Sequence, residues 1–149
     1  MTVVEPTLVA YLANVPAVTN LIGGPNGHVR LYPNVAPQKN DETGYGQFPH
    51  VVYYRVSTAR TRTYKGVAGT QPAVVFKACA EDYPTAKAVA LAVGEALEGY
   101  VGNVPGCGLV KVQGTFLDEE SDGYEEPEFA DQAGVHTVEL TVRVYYSGK

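Results

Sequence analysis

Eight of the sixteen acidic residues of this 149-residue chain fall in one run, LDEESDGYEEPEFADQAGV, residues 117–135. They are Asp118, Glu119, Glu120, Asp122, Glu125, Glu126, Glu128 and Asp131, and no Lys or Arg interrupts them. Three chemistries use carboxylates at this density: cation binding, acid–base catalysis and electrostatic recognition. The stretch DEESDG opens like a calcium loop, with acids at Asp118, Glu120 and Asp122 and then Gly123. An EF-hand also needs a bidentate Glu at its twelfth position and a helix on either side. Here that position is Phe129 and the flanks read as strands. A catalytic pair needs two carboxylates in unlike environments, so that their pKa values separate. Acids crowded into one polar stretch are all solvated and all ionised, which leaves recognition.

The counterpart is RVSTARTRTYKG, residues 55–66. Between Thr43 and Ala80 there is no acid, but there are five bases: Arg55, Arg60, Arg62, Lys65 and Lys77. Such segregation gives a surface of two signs, suited to oriented association. The basic arm reads either as a solvated hairpin or as a contact for a protein or for nucleic-acid phosphates. Its few bases cannot hold DNA tightly in one copy, although a ring of copies multiplies them.

Other chemistry-bearing residues are sparse. Cys79 and Cys107 are too far apart in sequence for the close-spaced ligand pairs of a structural zinc site. With no secretory signal, free thiols are expected. His28, His50 and His136 each stand at the start of a strand, where a hydrogen-bonding role is commoner than a catalytic one. No nucleophile elbow, Walker loop or dinucleotide fingerprint occurs, and LIGGPNG follows a helix rather than a strand. The residues point to no enzyme, no metal and no cofactor.

The elements that position these charges can be read from periodicity. EPTLVAYLANV reads as a short helix, with Pro6 in its first turn and Leu8, Tyr11 and Leu12 on one face. A second helical turn begins at Pro16 and stops at Gly23-Gly24. HVRLYP is a short strand closed by Pro33, and residues 34–47 are a loop by composition. Four runs then alternate with period two. Val52, Tyr54 and Val56 share a face with His50. Val74, Phe76, Ala78 and Ala80 share one, as do Val110, Val112 and Phe116. In the last run Val138, Leu140, Val142, Val144 and Tyr146 lie opposite Thr137, Glu139, Thr141 and Arg143. Between the second and third runs lies a helix over 82–99, with Asp82 as N-cap, Pro84 in the first turn and Gly99 as stop. Its buried stripe is Ala86, Val89, Ala90, Val93 and Leu97. The rest of it is poor in charge, with Leu91 and Ala92 off the stripe. Either it lies tightly on a sheet or another subunit covers its second side. The expected fold is α+β: a mainly antiparallel sheet of four to five strands built from two hairpins, with the long helix on one face and a short N-terminal helix.

Length fits one domain over 1–149. Apolar content of 45%, charged content of 18% and a net charge of −5 describe an ordinary globular chain without a broad basic surface. No apolar run approaches bilayer length, and the first Lys or Arg is Arg30, so a soluble protein made in a cytoplasm is expected, with no membrane partner.

The ordered set of segments resembles the tail completion or tail-terminator proteins of long-tailed bacteriophages. The residues that carry the resemblance are NLIGG, VRLYPNVAP with Pro33, Ala36 and Pro37, and FPHVVYYRVS before a polar arm ending at Gly66. They continue with VVFKACAEDYPTAKAVALAV, with Tyr83 and Ala86 opening an alanine-rich helix, and close with FLDEESDGYEEPEF and GVHTVELTVRVYY. The resemblance implies a non-enzymatic virion protein, made in the host cytoplasm and placed in the neck region of the tail. It implies a homohexameric ring that ends growth of the major tail tube protein and meets the head connector. Double-stranded DNA would pass through the lumen without sequence-specific binding. Another neck or tube-end protein, or a small ligand-binding α+β domain outside any virus, would share the same gross features.

The candidate interface is therefore Arg55, Arg60, Arg62, Lys65, Leu91 and Ala92. The acidic run is expected to be a mobile hairpin connection, because adjacent acids repel and Gly123, Pro127 and Gly134 interrupt a ladder. It would either order against a neighbour's basic arm or line the lumen and repel DNA.

Overall fold

The computed structural model describes residues 5–23, 29–34, 48–64, 66–99, 111–126 and 134–147. The elements in chain order are α1 (Glu5–Leu12), α2 (Pro16–Ile22), β1 (Leu31–Pro33), β2 (His50–Thr63), β3 (Gly66–Ala80), α3 (Tyr83–Leu97), β4 (Lys111–Glu125) and β5 (Val135–Ser147). The strands form one five-stranded sheet in the order β1-β2-β3-β5-β4. Both hairpins are antiparallel, β3 and β5 join them antiparallel at the centre, and only β1 runs parallel to its neighbour β2. The architecture is the expected α+β one, and both the short helix from Glu5 and the second helical turn from Pro16 form, as α1 and α2.

Local chemistry explains the helix boundaries. Pro16 starts α2, where a missing N–H costs nothing. At its end the Gly23 N–H donates to the Thr19 carbonyl, and a Cβ on Gly23 would overlap that same oxygen. The Asp82 carboxylate caps α3 by accepting from the Thr85 N–H at 3.2 Å. Pro84 lies in the first turn of α3, and Gly99 follows its end at φ 77°, a left-handed conformation that favours glycine. Ala86, Val89, Ala90, Val93 and Leu97 are all buried, as the helical period requires. Each buried valine contributes about 1.5–3 kcal/mol of hydrophobic stabilisation.

All three helices pack on the same face. Leu8, Leu12, Val18 and Ile22 join the α3 stripe and the sheet residues Val51, Val74, Phe76, Ala78, Val138, Leu140, Val142 and Val144 in one core. The Tyr11 hydroxyl donates to the Ala96 carbonyl at 2.9 Å, tying α1 to the far end of α3. Arg30 Nε donates to the Pro49 carbonyl at 2.8 Å, fixing β1 beside the start of β2.

Three expectations are corrected. The acidic run is not a hairpin connection over its described part. Asp118, Glu119, Glu120, Asp122 and Glu125 lie within β4, paired with β5 out to Glu125↔Val135. Glu126 follows the strand and is exposed, while Glu128 and Asp131 lie outside the described residues. The pairing partner supplies the reason. β5 is long, apolar on one face and paired on both sides, so its ladder carries β4 past the point where charge alone would stop it.

The second correction concerns which residues of β4 face inwards. Phe116 is 48% exposed, while Thr115 is fully buried. A register shift between Val112 and Gly114 inserts one residue and reverses the alternation. Val110 lies outside the described residues. The third concerns β2. His50, Val52 and Tyr54 do share a face, but the helix-covered core is built from Val51 on the other side. Val56 departs from both, 59% exposed at the register shift between Arg55 and Ser57.

Candidate functional site

The acids of β4 find cations within the same chain, on both faces of the sheet. Glu120 and Asp122 stand opposite Leu140 and Val138, on the helix side. There Lys87 Nζ on α3 donates to Glu120 Oε1 at 2.7 Å and to Asp122 Oδ1 at 3.1 Å. The Tyr83 hydroxyl donates to Asp122 Oδ2 at 2.8 Å. Lys77 on β3 donates to Glu125 Oε1 at 2.7 Å. Arg143 on β5 reaches Asp118 Oδ2 at 3.4 Å.

These contacts move the titrations in the expected directions. The hydrogen bond from Tyr83, and then that from Lys87, hold the Asp122 carboxyl below the ordinary aspartate value. The hydrogen bonds to Glu120 and then Asp122 raise the Lys87 ammonium, and the bond to Glu125 raises Lys77. Every one of these groups is exposed or half-buried, so the pairs orient side chains more than they stabilise the fold.

The acids of β4 are divided between the two faces of the sheet, and only Glu120 and Asp122 share a partner, Lys87. Among the described residues no group of three or more His, Cys, Asp or Glu side chains is gathered as a metal site would require. What the acids do is charge an edge. Among the described residues β4 is the outermost strand on its side. An exposed strand edge invites uncontrolled pairing with other chains, and charged side chains along it oppose that.

The bases named in the sequence fall on the opposite side of the sheet, in and beside β2. β1 pairs only with Val51, Val52 and Tyr53, so among the described residues the rest of β2 borders no further strand on that side. Arg55 is half-buried opposite Val74. Arg60 and Arg62 lie further out, opposite Thr70 and Val67, in a hairpin paired to its last residues, Thr63↔Gly66. Pairing of β3 with β5 ends at Thr70↔Tyr146, so the hairpin tip projects beyond the sheet centre. Tyr64 at the turn is fully exposed. Lys65 lies outside the described residues.

A groove of about 660 Å³ runs between α3 and β4. Its walls are Ala90, Leu91, Gly94, Leu117 and Leu140, with Lys87, Glu95, Glu98 and Glu120 around them. Leu91 is 62% and Leu117 37% exposed, while Ala92 packs partly buried against the core. The two helix positions named together in the sequence therefore differ, and only Leu91 faces outward. The C-terminal end of the groove is fixed by backbone contacts. Glu98 Oε2 accepts from the Leu117 N–H at 2.6 Å, and the Gly99 N–H donates to the Thr115 carbonyl at 2.8 Å. The periodicity does contain this face: Tyr83, Lys87, Leu91 and Glu95 recur every four residues. Of the bases in the acid-free stretch 55–77, Lys77 pairs with Glu125, while Lys87 and Arg143, which stand outside that stretch, take Glu120, Asp122 and Asp118.

On the other face, a smaller depression of about 340 Å³ brings together His50, Lys77, Cys79 and Glu125. This set resembles nucleophile, base and acid, but the chemistry does not follow. Burial pushes the Cys79 thiol up to about 11, so it stays protonated at neutral pH. The His50 ring is buried, stacked on Phe48 at 4.9 Å and edge-on to Tyr32 at 5.9 Å. His136 lies between Tyr83 and Tyr124, with ring centroids 6.1 and 4.8 Å away. Both histidines are packing residues, and His28 and Cys107 lie outside the described residues.

The fold so defined is an α+β layer: one mostly antiparallel sheet that, among the described residues, carries its helices on one face. No protein-family model matches the chain, and no curated protein matches it. A solved structure does. The chain is similar to one from the virion of a native gene transfer agent particle, with a TM-score of 0.69 and 20% identity. The match covers 97% of this chain and 94% of that one, and at this identity it shows a shared fold.

Proposed function

We propose that the chain is a structural virion protein that forms a ring at the head-proximal end of a phage-like tail. There it ends polymerisation of the tail tube and joins the tail to the head connector. The observation that carries this reading is the near full-length fold match to a chain from a virion, at 97% coverage. The order of sequence segments, which resembles that of tail-terminator proteins, agrees with it. The surface also suits a ring. A cyclic assembly meets through two different patches of the same subunit, and this chain carries acids along β4 and a run of bases in its β2–β3 hairpin. The role needs no catalytic group, and the partners are further copies of the chain, the tail tube protein and the connector.

The acids of β4 take a different part from the two first considered. Four of them are already engaged by Lys77, Lys87 and Arg143 of the same chain. Their first task is to keep the edge strand soluble, and Glu119 and Glu126 remain exposed for a partner or for the lumen.

The test is electron microscopy of particles from cells lacking this chain. Overlong tails of irregular length, separate from DNA-filled heads, are expected. Tails of normal length that fail only to join heads would move the protein to another position in the neck. Normal, joined particles would overturn the proposal.

A further inference from the structure

The groove between α3 and β4 is apolar at its base, and the same chain carries a segment of matching chemistry. Its floor is apolar, with Leu91 and Leu117 exposed beside Gly94 and Leu140. Its border is acidic in balance. Lys87 is committed to Glu120 and Asp122, while Glu95 has no ion-pair partner among the described residues. The Glu98 carboxylate, which receives the Leu117 N–H, adds a second negative charge. On the other side of the molecule the β2–β3 hairpin ends in TARTRTYKG. Tyr64 there is fully exposed, and its sequence neighbours are Arg60, Arg62 and Lys65, in a stretch without any acid.

We infer that this groove is the seat for the β2–β3 hairpin tip of a neighbouring copy, with Tyr64 lying against Leu91 and Leu117 and the arginines meeting Glu95 and Glu98. Tyrosine and arginine are the residues that most often anchor interfaces, and an apolar pocket with an oppositely charged border is where they do so. The contact joins two different patches, so each copy offers one tip and one groove and the arrangement can close on itself. The sheet edges are the poorer candidate. β4 is charged along its length in the way that opposes strand addition, whereas the groove is apolar at its base. The inference rests on the ring reading only in requiring that copies associate; it fixes the surface through which they do.

Two kinds of variant test it. In a Cys107→Ser background, one preparation carries Tyr64→Cys and another Leu91→Cys. The native Cys79 is protonated at neutral pH and buried, so it needs no replacement. Under mild oxidation a disulfide-linked dimer should form in the mixture, well above the level in either preparation alone. In the second kind, Glu95→Lys and Arg62→Glu should each weaken self-association about three- to tenfold, and the two together in one chain should restore it. Leu91→Glu should weaken it about 30-fold, as expected for a central anchor. Leu91 and Glu95 are exposed, so thermal melting should stay near that of the parent and show that the fold is intact. Self-association that ignores all of these changes, with no mixed dimer, overturns this inference and leaves the ring reading standing. A chain that is monomeric even at millimolar concentration also overturns this inference, and the ring reading is then decided by the particle microscopy above.

Discussion

Replacing Gly123 by alanine distinguishes a strand from a loop by the sign of the effect. Gly123 is the glycine in the middle of the acidic run, and in β4 it stands opposite Thr137 of β5. A Cβ added there would lie 2.7 Å from Thr137 Oγ1. That separation must open by about 0.7 Å to reach ordinary contact, and Thr137 is buried, with little freedom to yield. Overpacking of this kind costs about 1–2 kcal/mol. For a chain of this length each kcal/mol shifts the melting midpoint by about 2–4 °C, so Gly123→Ala should melt about 2–8 °C lower. In a mobile loop the same change would stabilise by about 0.4–1 kcal/mol, because alanine restricts the unfolded chain. The assay is thermal unfolding followed by circular dichroism, repeated in a Thr137→Ala background where the clashing oxygen is absent. The penalty should largely vanish there. A midpoint that is unchanged or raised by Gly123→Ala, or an equal loss in both backgrounds, would refute the placement of residues 118–125 in the sheet.

Asp82→Ala removes the cap of α3 and should cost about 1 kcal/mol, read as a lower urea midpoint at unchanged m-value. Asp122 has its folded pKa depressed, so its contribution is complete above the unfolded aspartate range and is lost as pH falls through the lower folded value. Asp122→Asn should therefore melt below the parent near neutrality and converge with it as pH falls through the lowered folded value, and parallel curves would exclude the contribution. The raised Lys77 and Lys87 act in the opposite window: their share is present below the unfolded lysine value and fades as pH climbs through the folded one. Leu91→Glu should leave the melting midpoint nearly unchanged, whereas Ala92→Glu, which places a charge against the core, should lower it by about 2 °C or more. Equal effects at the two positions would show that they share one environment.

Periodicity carried most of the fold because most of its elements obey one period. The α3 stripe from Ala86 to Leu97 and the alternation of β5 were legible since each buries one face only. The cap at Asp82 and the stop at Gly23 follow from side-chain and backbone chemistry local to a few residues. Where the reading failed, the deciding interaction was distant. Nothing within LDEESDGYE announces a strand. It is one because β5 offers a free ladder, and because Lys77, Lys87 and Arg143 bring charge from three other elements. The inward face of β4 differs from the simple alternation for a comparable reason: an extra residue before Gly114 inverts it as far as Leu117, where a second register shift restores it. The groove escaped notice because its two walls, α3 and β4, meet only in the folded chain.

Gold labelling of an affinity tag on this chain, viewed by electron microscopy on intact particles, tests the central claim most directly. A single band of label at the junction of head and tail is the predicted result. Label spread along the tube or over the head, or intact particles without label, would contradict a ring that ends the tail and joins it to the head.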